Sequence, residues 1–369
     1  MKDNNSKNNA SGRVETVKII TCASYYGVGS SAVMDLVAEY NNVKDLTDFE
    51  FRFLHDIDGV TDLEYYLVEN HNRHNSGHAL KRFLKLSKFN EGNFISHRYS
   101  KFLKKEDYRK ITLEYVNALT DFKYNGWWFY DLYDKGPKLY YAYQVLNHIM
   151  KRIPSDNFRI LKKEITYCSH PTEEIFLELT RKYVSKLMHA LNKEEMDYLE
   201  IDQIVPSSNI ERILRYFDDE IFVFVVDRDP RDIYFLCKYY DKEDIFPHES
   251  VESFCKWLRY TRKAGSGVPK QTSHLIKIQF EDLIFRYEET VKKIEKITGL
   301  RPEQHLNQFS KLNPLKSVNN TQIWKKHTSK KDRYDLEYIE KTMSEYLYNF
   351  SKVKKEDVVG IPVSDNKTF

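Results

Sequence analysis

The chain has 369 residues, 41% of them apolar and 31% charged, enough to bury a sizeable core and too apolar for a disordered polymer. Lys and Arg total 58 against 55 Asp and Glu, a net charge of +3, which excludes a general nucleic-acid binder with a strong basic excess. The longest apolar run, Ile221–Val226, falls far short of the ~20 residues a membrane span needs. The first sixteen residues are polar, carry no hydrophobic segment of a secretory signal, and read as a disordered lead-in. The four cysteines, Cys22, Cys168, Cys237 and Cys255, lack CxxC spacing, which points to a reducing cytoplasm and no structural zinc.

In chain order, Val17–Ala23 is a β-branched apolar run that predicts a buried strand. A glycine-containing turn follows, and Ser30–Tyr40 then sets Val33, Leu36, Val37 and Tyr40 on one helical face with Ser30 as N-cap. Asp48–Leu54 alternates and predicts a second strand. From about 60 to 195 the pattern is helical: Asp62–Asn70, His78–Ser87, Glu106–Leu119, Lys138–Arg152 and Thr172–Asn192. This stretch predicts a helical insertion forming one wall of a cleft. The α/β pattern resumes with strands at Tyr198–Val205, Glu220–Val226 and His274–Phe280, and helices at Ser208–Phe217 and Tyr287–Thr298, the latter closed by Gly299. A C-terminal helix is expected over about 331–350, with a tail at 356–369. The expectation is one α/β domain over 17–355, its core at 17–58 and 196–330. Such alternation implies a mostly parallel sheet that binds ligands at the carboxyl ends of its strands.

Candidate motifs fall at those ends. Gly27, Val28, Gly29, Ser30 and Ser31 form a glycine turn whose backbone amides could cradle an anion. It lacks the lysine of a Walker A loop, but satisfies G-x-G-x-x-A through Ala32, with Glu50 about 20 residues on, so a dinucleotide site is an alternative. Asp227–Asp232 packs two arginines and three carboxylates after the most apolar strand; Arg suits forked phosphate recognition, while Arg231 with Asp229 or Asp232 suits an internal network. Lys316–Lys326 is a basic, polar loop that could fold over a nucleotide, anchored by Trp324. His71, His74 and His78 lack a fitting set of co-ligands and read as a polar helix face, with no metal.

Taken together these motifs resemble the nucleotide-dependent sulfotransferases, closest to bacterial carbohydrate-type members. In that family a glycine loop after strand one grips the 5′-phosphosulfate of 3′-phosphoadenosine 5′-phosphosulfate, and an R-[DN]-P-[RK]-D stretch puts its first Arg on the 3′-phosphate. An E-D-L strand end precedes a helix ending near G-L, and a loop ending in W-[KR] covers the nucleotide. The matching positions are Gly27–Ser31, Arg228–Asp232, Glu281–Leu283 with Gly299-Leu300, and Asn319–Lys325. The resemblance implies a P-loop-like core, this nucleotide as co-substrate, and nucleotide contacts from Arg228, Lys316, Asn319, Trp324 and Lys325. It implies sulfuryl transfer to a hydroxyl or amine of a carbohydrate-like acceptor held by the helical insertion.

Two positions depart from the family. Gly27 stands where the family's loop carries a cation, leaving Lys316, Lys325 or Lys326 as substitutes, and Leu236 stands where it carries a 3′-phosphate serine. Glu50 occupies the place of the family's glutamate base, with His55 as its rival and a simple Glu50–Arg52 pair as the structural alternative. A Rossmann oxidoreductase and a catalytically impaired nucleotide binder remain the competing readings.

Overall fold

The computed structural model describes residues 17–152, 163–240, 246–264 and 274–362, so the expected lead-in and the last part of the tail lie outside the described residues. β1 (Lys18–Cys22), β2 (Val43–Asp45), β5 (Tyr198–Glu200), β6 (Glu220–Asp227) and β7 (Leu275–Gln279) form one sheet; β3 (Phe122–Asn125) and β4 (Ile165–Cys168) form a separate antiparallel hairpin. The sheet order is β2-β5-β1-β6-β7, and every neighbouring pair is parallel. An α/β architecture with a parallel central sheet is therefore established. Ile19, Ile20 and Cys22 of β1 and Val223, Phe224 and Val226 of β6 are fully buried, as a strand covered on both faces requires.

The helices follow in chain order. α1 (Ser31–Val37) leaves the glycine turn, and α2 (Val60–Glu64), α3 (Asn75–Glu91), α4 (Lys105–Leu119), α5 (Phe129–Tyr133), α6 (Pro137–Met150) and α7 (Glu173–Leu191) build the insertion between β2 and β5. Its interior is aromatic: Tyr115 of α4 stacks on Tyr183 of α7 at 4.4 Å, and its hydroxyl bonds the Thr180 hydroxyl at 2.8 Å. α8 (Ile210–Leu214) joins insertion to sheet. The buried Glu64 carboxylate accepts from Arg212 Nε at 3.0 Å and from Arg215 and the Tyr216 hydroxyl. α9 (Pro230–Tyr239) and α10 (Val251–Ala264) connect β6 to β7. α11 (Phe280–Phe285), α12 (Tyr287–Thr298), α13 (Pro314–Ser317) and α14 (Lys330–Thr342) complete the chain.

Several expected elements differ. Asp48–Leu54 is a loop, and the second strand is the three-residue β2 upstream of it. The alternation that imitated a strand comes from two aromatic anchors. Phe51 stacks on Tyr99 at 4.5 Å and Phe53 meets Tyr183 edge-on at 5.8 Å. The expected strand at Tyr198–Val205 ends at Glu200, and the helix at Ser208–Phe217 contracts to Ile210–Leu214. Ser30 and Asn209 sit at N-caps but neither side chain makes a capping bond; Asn209 enters its helix in the left-handed region, φ 56°. The C-terminal helix stops at Thr342, where short 3-10 turns take over. Tyr287–Thr298 and its left-handed Gly299, φ +79°, match expectation.

Candidate nucleotide and acceptor site

From β1 the chain moves toward β2 on one side of the sheet, and from β6 it moves toward β7 on the other. The crevice between the carboxyl ends of β1 and β6 is thus a topological switch point, where open α/β sheets take their ligands. The turn after β1 lies there. Gly27 and Gly29 adopt φ +73° and +75°, open to glycine at no steric cost. Among the described residues, the backbone amides of Val28, Gly29, Ser30 and Ser31 donate to no acceptor. A run of free amides around left-handed residues is the geometry of an anion-binding nest. A Cβ on Gly29 would lie 2.6 Å from the Phe280 ring, so this glycine is required by packing whether or not a ligand binds.

Arg228, the first residue past β6, closes the other side of the crevice. It is 3% exposed, donates to the Gly27 carbonyl at 3.3 Å and to the Asn320 carbonyl, and lies over the Phe280 ring at 4.8 Å. Its Nε is buried without a partner among the described residues. A buried guanidinium held by two carbonyls, with Nε idle and no bonded carboxylate among the described residues, keeps donor capacity to spare.

The rest of the charged stretch is structural. Asp229 caps α9, takes a forked pair from Arg231 at 2.7 and 3.0 Å, and accepts the Tyr348 amide at 2.9 Å. Its own amide donates to Glu281 at 2.9 Å. Asp232 accepts the amides of Gln322 and Ile323 at 2.9 and 2.6 Å, pinning the late basic loop to α9. Burial pushes Asp232 up to about 7 and Glu281 up to about 8. Trp324 is buried, 4.2 Å beneath the Arg231 guanidinium, so it anchors this loop from below. The expected Lys316–Lys326 loop is wound into short turns, with Lys316 exposed on α13 and Asn319 and Lys325 exposed in the 3-10 turns after it; Lys325 donates to the Gln322 side chain and Lys326 to the Asn319 carbonyl at 3.3 Å. The cation bonded at Gly27 is Arg228 itself.

The acceptor-side candidates gather beyond Tyr26. Glu50 pairs with Arg52 at 3.4 Å, and Arg52 also donates to Asp56 at 2.9 Å and to the Tyr26 hydroxyl at 2.8 Å. The structural alternative for Glu50 is therefore present, on a loop rather than a strand. Yet the carboxylate is 43% exposed, and Arg52 ties its segment to the residue preceding Gly27. His55 Nε2 is engaged with the Gln203 carbonyl at 2.8 Å, and burial lowers its pKa. That nitrogen is spent as a donor, leaving only Nδ1 to accept a proton. Asp202, just past β5, was not singled out from the sequence. Burial and then the Glu50 charge push its carboxyl up to about 7, and Oδ1 is buried without a partner among the described residues. Two acids within the largely apolar Tyr198–Val205 run were the available signal.

The insertion carries two clefts on either side of His78. One, of about 380 Å³, is lined by Ile57, Asp58, Tyr66, Arg82, Tyr130 and Asp134 among others, and so starts on the segment that bears Glu50 and His55. The other, of about 420 Å³, includes His74, Lys81, Tyr124, Trp128 and Asp131. The three histidines diverge: His71 stacks on His170, His74 stacks on Trp128, and His78 pairs with Asp134 at 3.0 Å. No family model matches the chain, and no curated protein matches it.

Proposed function

We propose that the chain is a sulfotransferase that moves the sulfuryl group of 3′-phosphoadenosine 5′-phosphosulfate to a hydroxyl or amine of a carbohydrate-like acceptor. The observation that carries this reading is the pairing of four free amides, Val28–Ser31, with the buried, incompletely bonded Arg228 across the β1/β6 crevice. An anion with two phosphate groups would satisfy both. Its 5′-phosphosulfate would take the amides, and its 3′-phosphate would replace the carbonyls of Gly27 and Asn320 on the Arg228 guanidinium. Lys316, Asn319 and Lys325 would border the nucleotide from the loop that Asp232 pins. The core would then be P-loop-like, and four cysteines without CxxC spacing would fit a cytoplasmic enzyme.

In the transfer, an acceptor oxygen or nitrogen forms a bond to sulfur while the bond from sulfur to the bridging phosphate oxygen breaks, its electron pair leaving with the nucleotide. The loop amides meet the charge that develops there. The acceptor proton goes to a carboxylate. Asp202, with a pKa near 7, is better matched to that task at neutral pH than an ordinary carboxylate, and Glu50 tunes it. The cleft beginning at Ile57 and Asp58 would hold the acceptor, its tyrosine rings offering faces to sugar rings and its carboxylates accepting hydroxyl protons.

The dinucleotide alternative fares worse. In the Rossmann order 3-2-1-4-5-6 the first strand neighbours the second, whereas here β1 neighbours β5 and β6 and β2 lies at the sheet edge. The test is thermal stabilisation by 3′-phosphoadenosine 5′-phosphate against NAD, since only a ligand of the native state raises its stability. The expected result is a rise with the bisphosphate alone, absent in Arg228→Ala. A rise with NAD alone would overturn the reading; bisphosphate binding without transfer to any glycan would mark an impaired nucleotide binder.

A further inference from the structure

We propose that α6, with the aromatic segment leading into it, docks the protein on an anionic membrane surface. Tyr143 is the one described side chain that α6 buries. At 100° per residue, Tyr141, Val145, Ile149, Ala142, Leu146 and Leu139 lie within one arc of about 160° on the helix, which Lys138 of its first turn also enters. The five large ones are 47% to 66% exposed, so the apolar face of this helix points outward and not into the core. Trp127, Trp128, Phe129 and Tyr133 are exposed just before it, the side chains that favour a boundary between water and hydrocarbon.

The charges choose the occupant. From Lys135 to Arg152 there is no Asp or Glu, and Lys135, Lys138, Lys151 and Arg152 are all exposed. Basic side chains at both ends of an apolar face, with no acid between them, complement anionic headgroups over acyl chains. A second copy of the chain would set these four cations against their own equivalents in a two-fold interface, at an electrostatic cost. With 14 residues the helix is too short to span a bilayer, so it would lie in the plane of the interface. The inference does not depend on the nucleotide reading.

The experiment is co-sedimentation of the whole protein with vesicles of phosphatidylcholine alone or mixed with phosphatidylglycerol, paired with light scattering without lipid. Binding is expected on the mixed vesicles, weakening with salt and dropping about five-fold for each of Lys138→Ala and Lys151→Ala. Val145→Asp with Ile149→Asp should abolish it while leaving the melting temperature and circular dichroism unchanged, because both positions are exposed. Absence of binding to mixed vesicles, or equal binding to both vesicle types, would overturn the proposal. So would a dimer in solution that the aspartate variants dissociate, since the face would then belong to a second copy.

Discussion

Arg228 donates to the carbonyl of Gly27 at 3.3 Å although 201 residues separate the two, so the end of β6 closes over the turn that leaves β1. This bond, with the one to Asn320, holds the guanidinium where two loops meet and leaves Nε idle. A charge-assisted bond contributes about 1.5–3 kcal/mol, so Arg228→Ala is expected to weaken 3′-phosphoadenosine 5′-phosphate roughly 10- to 100-fold by calorimetry. Adenosine 5′-phosphosulfate, without the 3′-phosphate, should lose little. Equal losses for both would assign Arg228 to holding the loops alone.

Gly29 answers to Phe280. The ring would lie 2.6 Å from a new Cβ, and φ is +75°, so Gly29→Ala should destabilise the protein by more than about 1 kcal/mol in denaturant unfolding. Gly29→Ala combined with Phe280→Leu should recover part of that loss relative to the sum of the single changes. Strict additivity would mean that the backbone strain, and not the ring, sets the requirement for glycine.

Asp202 makes stability depend on pH. Its carboxyl stands near 7 in the folded protein against an ordinary 3.8. Below 3.8 both states are protonated and nothing is lost. As pH rises toward 7 the unfolded chain ionises first, so folded stability falls across that interval and levels off above it. Asp202→Asn should therefore melt like wild type in acid and higher at neutral pH, by at most about 4 kcal/mol. A gap that does not vary with pH would contradict the raised carboxyl.

The same residue separates the candidate bases. If Asp202 takes the acceptor proton, Asp202→Asn lowers turnover by ~10²–10⁴ with nucleotide binding intact. Glu50→Gln then keeps turnover but moves the acid limb of the pH–rate profile downward, because the Glu50 charge is one of the two causes that raise Asp202. A collapse of turnover in Glu50→Gln, with Asp202→Asn active, would return the role to Glu50; a collapse confined to His55→Asn would give it to His55.

Glu281 is a buried acid used as an acceptor. It takes the Asp229 amide at 2.9 Å and the Gln279 side-chain amide at 3.0 Å, and its pKa of about 8 keeps it mostly neutral at pH 7. Glu281→Gln should cost less than about 1 kcal/mol, whereas Glu281→Ala, which leaves the Asp229 amide unpaired beside a cavity, should cost about 3 kcal/mol or more. Similar losses in the two variants would show that the carboxyl itself is needed.

Elements whose signals are local were legible in the sequence. The apolar run of β6 and the Gly299 stop of α12 depend on neighbours within a few residues, and both stand where expected. Asp48–Leu54 was misleading because Phe51 and Phe53 reach Tyr99 and Tyr183, partners that no local pattern reveals. β2 is three residues long and β3 is exposed along its whole length, so neither carries a readable alternation. In the candidate site Arg228 drew attention by its place after a buried strand, and Arg231 with Asp229 was foreseen as an internal pair. Asp202 escaped notice because its raised pKa comes from burial and from a glutamate far away in sequence.

The position of β1 in the middle of the sheet governs when the molecule can be finished during synthesis. The Val17 amide bonds Asp219, 202 residues further on, and both flanking strands of β1 are likewise late in the chain. At ~5–20 residues per second, a growing polypeptide would carry the apolar Lys18–Cys22 segment without its neighbours for roughly 10–40 s. The α4–α7 pair of the insertion can meet sooner, since it needs nothing beyond Leu191. The glycine turn is made among the first described residues and gains Arg228 only after β6 has left the ribosome, so the crevice is among the last features to take shape.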